Sequence, residues 1–399
     1  MSTPQPTRQP SLQRVWYVTL SHIALDFYMT LAPPLWAFFK AHFGLSLLQF
    51  SFLPSVISVV GSIAQPFMGY FSDRRNRMAL VALGLLVCGI FVSLIGFAPS
   101  APVLALFLIG ATLGSSLFHP TAGGLVTALA PHRSNLAMAI FLTGGTLGMA
   151  IGAVTGTRIV ERYGLEQLWI VVFPSLVLSA LMFGLSRTSL PGERRPSAGK
   201  VDFGLLRTAE MRPLWVLYAI SVLRSLIHNG FVSFTALLGS NWEWSHGKIG
   251  WVFSAYLLSS TLGRITGGYL ADRVSPRKLL AFSNASSALF YAAFCLTGGA
   301  GAVPLFMIAG FLFDLGITTN ITLAQRIMPN NTSTATGLVM GFSWGAAGLM
   351  IPLMGTLAEF TTIATALTTV SFFLVPATIL VGFLPSERRL QARIAANGG

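Results

Sequence analysis

Residues 69–75 read GYFSDRR, and residues 268–274 read GYLADRV. Each copy closes a long apolar run, and Asp73 and Asp272 stand 199 positions apart. A chain that writes one turn twice at this distance is built from two similar halves. Pro131 and Pro329 repeat at nearly the same offset, 198.

The apolar runs that end in these turns recur along the whole chain. Of the 399 residues, 53% are hydrophobic and only 9% charged, too little charge to cover a soluble surface of this size. Runs of roughly 20 residues match the thickness of a hydrocarbon core. They fall at 15–39, 47–71, 78–98, 102–128, 135–157 and 168–186, then at 213–238, 248–271, 278–298, 302–327, 334–358 and 362–384. We number them one to twelve. Each is expected to be a helix, because lipid offers no partner to open backbone groups. Between spans six and seven lies a charged stretch with Pro and Gly, RTSLPGERRPSAGKVDFGLLRTAEMR. The expected fold is therefore an all-α membrane protein with twelve transmembrane helices in two pseudo-symmetric lobes, 1–186 and 213–399, joined by a cytoplasmic linker at 187–212. The opening stretch MSTPQPTRQPSLQR lacks the layout of a cleaved signal peptide.

The net charge of +13 is a matter of topology. Of 25 Lys and Arg residues, Lys40, Arg158, Arg162 and Lys248 fall on one side of the span map. Arg224 and Arg264 lie within spans, and the other nineteen fall on the side of both termini. Positive charge concentrates on the cytoplasmic side, so both termini are expected in the cytoplasm, with the chain in the cytoplasmic (inner) membrane and no call for nucleic acid. Cys88 and Cys295 sit inside different apolar spans and read as small core residues.

In the repeated turn, Gly69 and Gly268 would permit close helix approach. Asp73 and Asp272, at the membrane exit, would face a helix N-terminus or a guanidinium. The pattern, with Arg74, Arg77, Arg273 and Arg277, resembles the Gly-x-x-x-Asp-Arg-x-Gly-Arg-Lys signature of the major facilitator superfamily. Asn76 and Met78 depart from it, Asn76 being expected to keep a left-handed turn in place of Gly. The resemblance implies a latch between lobes that is made and broken during alternating access. Span five places Gly144, Gly148, Gly152 and Gly156 at a four-residue period, baring one helix face. It is similar to the glycine motif of antiporters but lacks their Gly-Pro pair, so it leaves direction open. SHIALDFYMTLAPPLWAFFK (21–40), LFHPTAGGLVTALAP (117–131), ATGLVMGFSWGAAGL (335–349) and LRS (223–225) resemble the fosmidomycin-resistance branch. That resemblance implies proton-driven export of small polar or amphiphilic toxic compounds.

An ionisable group at mid-bilayer costs at least ~2.5–3.5 kcal/mol to insert, so each is a functional candidate. His22 and Asp26 are four apart on one face of span one, and Arg224 and His228 share that spacing on span seven. Asp26 is the candidate proton carrier, with His22 as relay or as a static partner, and Asp314 is a second carrier or a counter-ion for Arg224 or Arg264. Arg224 and His228 would face the cavity, where the guanidinium grips a carboxylate or phosphonate or pairs with Asp26 or Asp314. His119, before Pro120, either lines the substrate site or bonds a carbonyl freed by the proline. Tyr28, Asn320 and Trp344 are further cavity candidates, while Arg264 would snorkel and Trp36 would anchor at the interface.

No enzyme constellation is present. GFSWG (341–345) matches the nucleophile elbow but falls inside an apolar helical run. The expectation is a monomeric carrier of a small molecule and protons, with no cofactor. Its work would be proton-coupled efflux, with uptake of an organic anion as the alternative. Metal export is a third reading. His22, Asp26, His119 and His228 would have to supply the ligands, and no helix carries a ligand spacing that favours it.

Overall fold

A computed structural model describes residues 12–72, 75–130, 133–187, 211–271, 273–299, 301–328 and 335–385. Asp73, Arg74, Asp272, Pro131, Pro329 and most of the 187–212 stretch lie outside them. Among the described residues every regular element is helical, and ten helices are long and apolar enough to cross a membrane. They account for spans two to seven and nine to twelve. Span eight (His246–Ala271) is a continuous helix that carries Lys248, Arg264 and several hydroxyl residues. Span one is interrupted: a helix Leu12–Met29, a short turn, and a helix Trp36–His42. The break falls at Pro33 and Pro34, whose rings cannot continue a helix, and the Thr30 hydroxyl bonds the Asp26 carbonyl at 2.5 Å. All twelve expected spans are thus present.

Span ten also breaks, between Ala302–Asp314 and Ile317–Ile327. Span eleven opens with a π-helical stretch, Gly337–Phe342, before Ser343–Phe360. Ser343 is buried there and donates to the Val339 carbonyl. It is a helix-interior hydroxyl, with no strand-turn-helix geometry around it.

The glycine stripe of span five (Ser134–Tyr163) packs on span one, as its spacing implies. A Cβ at Gly148 or Gly152 would strike the carbonyl of Ile23 or Phe27, and one at Gly144 or Gly156 would meet Thr19 or Leu31. The glycines of the repeated turn behave otherwise. A Cβ at Gly69 would make ordinary contact with Pro120 at 3.6 Å, and one at Gly268 would meet nothing within 4 Å. Close approach is not what these two serve in this conformation. Asn76 likewise departs from expectation. Its backbone is extended, at φ −65° and ψ 105°, and its side chain caps span three by accepting from the Ala79 amide. Arg77 is buried behind that cap. In the second copy, Arg273 lies over the Tyr269 ring and Arg277 donates to the Gly382 carbonyl at 2.7 Å.

The two halves meet along two seams, span two against eleven and span five against eight. On the first seam Ser58 donates to the Trp344 carbonyl at 2.8 Å and Ser62 to the Gly341 carbonyl at 2.6 Å. On the second, Gly250 abuts Thr157 and the Ala153 carbonyl. At the end that carries Lys40, Arg158, Arg162 and Lys248, the Phe38 ring lies 5.8 Å from His42 and 5.7 Å from His246 of the other half. Toward the end where span one begins, the seam helices expose Phe67, Tyr70, Leu262, Ile265 and Tyr269. Among the described residues, the contacts between the halves gather toward the far end.

Candidate functional site

Span one presents His22 and Asp26 on the face turned to spans four and five. Asp26 is bracketed by two imidazoles, His22 Nε2 at 3.2 Å from one carboxylate oxygen and His119 Nε2 at 3.2 Å from the other. The carboxylate and His22 are each 4% exposed, whereas the His119 side chain is 34% exposed and forms the open edge of the cluster. His22 stacks on Phe141, with ring centroids 3.9 Å apart. A Cβ at Gly145 would collide with His22 and with the Asp26 carboxylate, so this glycine makes room for the cluster.

The outer nitrogens fix the chemistry. His22 Nδ1 faces the Phe141 carbonyl at 2.8 Å, and His119 Nδ1 faces the Ser115 carbonyl at 3.1 Å. A carbonyl only accepts, so His22 Nδ1 carries hydrogen and its Nε2 must receive a further proton to bond Asp26. His119 Nδ1 faces both the carbonyl and the hydroxyl of Ser115, so it can donate to the one or accept from the other. With both contacts to Asp26 made, the triad carries a net charge of +1 in the first case and of zero in the second. The arrangement can therefore load and unload one proton, at its exposed edge.

His119 is not the prop for a kinked helix that its place before Pro120 suggests. The carbonyl freed by Pro120 belongs to Ser116, and the imidazole instead bonds Ser115 and Asp26. Of the four residues weighed for a metal, the structure gathers His22, Asp26 and His119, their donor atoms within 4.8 Å of one another. His228 stands apart, against Trp344 at a ring distance of 5.1 Å. Trp344 is exposed and His228 is half-buried beside it.

Arg224 is turned away from the cleft. It is buried, donates to Asn284, Ser283 and the Phe313 carbonyl, and lies 4.1 Å over the Phe313 ring. Phe313 precedes the break in span ten, where helix carbonyls lose their partners, so the guanidinium serves that backbone rather than a solute. Asp314 pairs with Arg264 at 2.8 Å. Arg264 thus does not snorkel; it lies in an ion pair, with its side chain 47% exposed. Tyr28 is fully buried, donating to the Val171 carbonyl at 2.6 Å and accepting from the Ser175 amide. It ties span one to span six and lines no cavity. Asn320 bonds Ser221 at 2.7 Å inside the second half, and Trp36 is buried against Phe39 and Phe50.

Sequence reading missed Gly145 and Ser115, whereas Asp314 fills one of the roles expected of it, counter-ion to Arg264. The first stood in plain view as the second glycine of TGG (143–145). The second stands one helical turn before His119 on the same span.

The chain is similar to the fosmidomycin resistance protein of Escherichia coli (strain K12), with 24% identity over 93% of this chain and 92% of that protein. It is also 24% identical to the uncharacterized MFS-type transporter YfnC of Bacillus subtilis (strain 168), over 94% of this chain and 93% of that one. A crystal structure of a bacterial homolog to the human lysosomal transporter Spinster, inward-facing and occupied, matches with a TM-score of 0.81 and 16% identity. That match covers 95% of this chain and 97% of the other. The model of the Major Facilitator Superfamily matches residues 18–240 and 214–398. With a model that spans both halves and an all-helical bundle to match, this chain belongs to the Major Facilitator Superfamily, whose members are transporters rather than enzymes.

Proposed function

We propose that this protein is a proton-coupled exporter in the cytoplasmic membrane, moving a small polar or amphiphilic organic compound outward as a proton moves in. The observation that carries the reading is the Asp26 carboxylate, buried between two imidazoles of which only His119 reaches the cleft. The name of the fosmidomycin resistance protein supports export. In this reading both termini are cytoplasmic, residues 1–186 and 213–399 form two lobes, and 187–212 links them. The terminal end then faces the cytoplasm, and the conformation described is inward-open.

Coupling follows from competition for one oxygen. His119 reaches Asp26 Oδ1 only with a proton on Nε2, at 3.2 Å. A hydroxyl or amine of a solute in the cleft can donate to the same oxygen, so solute and proton displace one another, the condition for antiport. His228 and Trp344 supply the apolar wall opposite. The expected monomer needs no partner chain for this cycle.

A second reading is favoured by charge. The triad is positive when His119 carries hydrogen on both nitrogens, and the Arg264 side chain is half-exposed. An anion held ~8 Å from the extra proton, at an effective dielectric of ~20, would gain about 2 kcal/mol from it. Proton and anion would then favour one another roughly 30-fold, the condition for uptake by symport. Reconstituted vesicles with an imposed pH gradient, screened across phosphonates, carboxylates and lipophilic cations, decide. Antiport predicts solute accumulation in acid-loaded vesicles, symport the reverse, and gradient-independent flux refutes both.

A further inference from the structure

The end toward which the contacts between the halves gather carries a second repeated feature that the proton site does not use. Span two begins behind Ser46, whose hydroxyl accepts from the Gln49 amide at 3.2 Å. Span eight begins behind Ser245, whose hydroxyl accepts from the Lys248 amide, also at 3.2 Å. The serines are 199 positions apart, the offset of the aspartates in the repeated turn. Each of these helix starts meets a glutamate from the opposite half. Glu359, at the end of span eleven, accepts from the Leu48 amide at 3.1 Å. Glu161, at the end of span five, lies over Gly247, where an added Cβ would come 2.5 Å from its carboxylate oxygen. Glu161 and Glu359 are 198 positions apart, the offset of Pro131 and Pro329.

The exchange is reciprocal. A first-half carboxylate sits on a second-half helix start, and a second-half carboxylate sits on a first-half helix start. A helix N-terminus carries exposed N–H groups and partial positive charge, and a carboxylate satisfies both. Gly247 leaves the carboxylate its room, because a side chain there would displace Glu161. Arg158, 3.9 Å from Glu161 on its own helix, does not bridge the halves.

We propose that Glu161 and Glu359 are a paired gate at this end, each a positioning residue that holds the far side shut and must release before the cleft can open there. The proposal rests on the two-lobed transporter proposed above and not on the proton chemistry, so failure of the Asp26–His119 reading leaves it standing. Each cap is partly exposed, and charge at a helix terminus in that setting is worth about 2- to 5-fold in an equilibrium. Losing both should shift the closed-to-open ratio at this end by roughly 4- to 25-fold.

The test reads distance without solute or pH gradient. Spin labels on Gln167→Cys and Thr361→Cys, exposed at this end on opposite halves, are measured by double electron–electron resonance on the full chain in lipid nanodiscs. The native Cys88 and Cys295 are buried. In Glu161→Gln/Glu359→Gln the longer-distance population should grow by the stated factor, with each single change giving part of it. Gly247→Ala should act like Glu161→Gln alone. Glu166→Gln, an exposed glutamate of the same end outside both seams, should change nothing. Distances in the double variant and in Gly247→Ala that match those of Glu166→Gln would overturn the proposal.

Discussion

Asp26 and Arg224 occupy matching places, 198 positions apart on the first span of each half, and they carry opposite charges. Both are buried, but their surroundings differ in kind. Asp26 is held by two groups that can each gain or lose a proton, one of them at the cleft. Arg224 is held by an amide, a hydroxyl and a carbonyl, none of which titrates, and it secures the break in span ten. The same contrast extends to Arg264 and Asp314, which neutralise one another within the second half. Each half buries one charge at this place, and in the proposed cycle only the first has a route for protons. The lesson is that a charge in mid-membrane becomes chemistry when its neighbours titrate and reach water, and becomes architecture when they do not.

Four substitutions would break or sharpen that contrast. The largest effect is expected of Asp26→Asn. Accumulation driven by a pH gradient should fall to background, while exchange of solute at equal concentrations continues. Next is Arg264→Gln, which leaves the buried Asp314 unpaired. It should lower stability by about 2–3 kcal/mol, less than the ~3–5 kcal/mol of a fully buried pair because half of the arginine is exposed. The neutral double variant with Asp314→Asn should recover most of the loss, read by thermal unfolding in detergent. Gly148→Val drives a side chain into the Ile23 carbonyl and should cost about 1–3 kcal/mol by overpacking, with transport lost as span one is displaced. Smallest is Gly268→Ala. With nothing within 4 Å, it should raise helix stability by ~0.5–1 kcal/mol, and a fall in stability would show that this conformation does use the bare backbone.

The sequence made the fold legible because lipid permits few alternatives: apolar length marked the spans, and the repeated Gly-Tyr turn marked the halves. The site was legible in part. Asp26 and His22 declared themselves by spacing on one helix. His119 did not, because its bond to Asp26 joins residues 93 apart on different spans. The four-residue spacing of Arg224 and His228 puts them on one stripe of span seven, but with span seven so uniformly apolar no periodicity shows which way that stripe turns. The break in span ten that Arg224 serves left no proline in the sequence, only Gly316. Asn76 stands where the signature has Gly, but Asn is also a favoured N-cap, and that is the role it fills.

The account turns on whether the exchangeable proton resides in the first half. Solute-driven proton movement, followed with a pH-sensitive dye inside vesicles, measures this directly for the unsubstituted protein, His119→Gln and the double variant Arg264→Gln/Asp314→Asn. Protons should move with solute in the unsubstituted protein and in the double variant, and should cease to do so in His119→Gln. Proton movement that survives His119→Gln but disappears with the Arg264–Asp314 pair would place the proton in the other half and contradict the account.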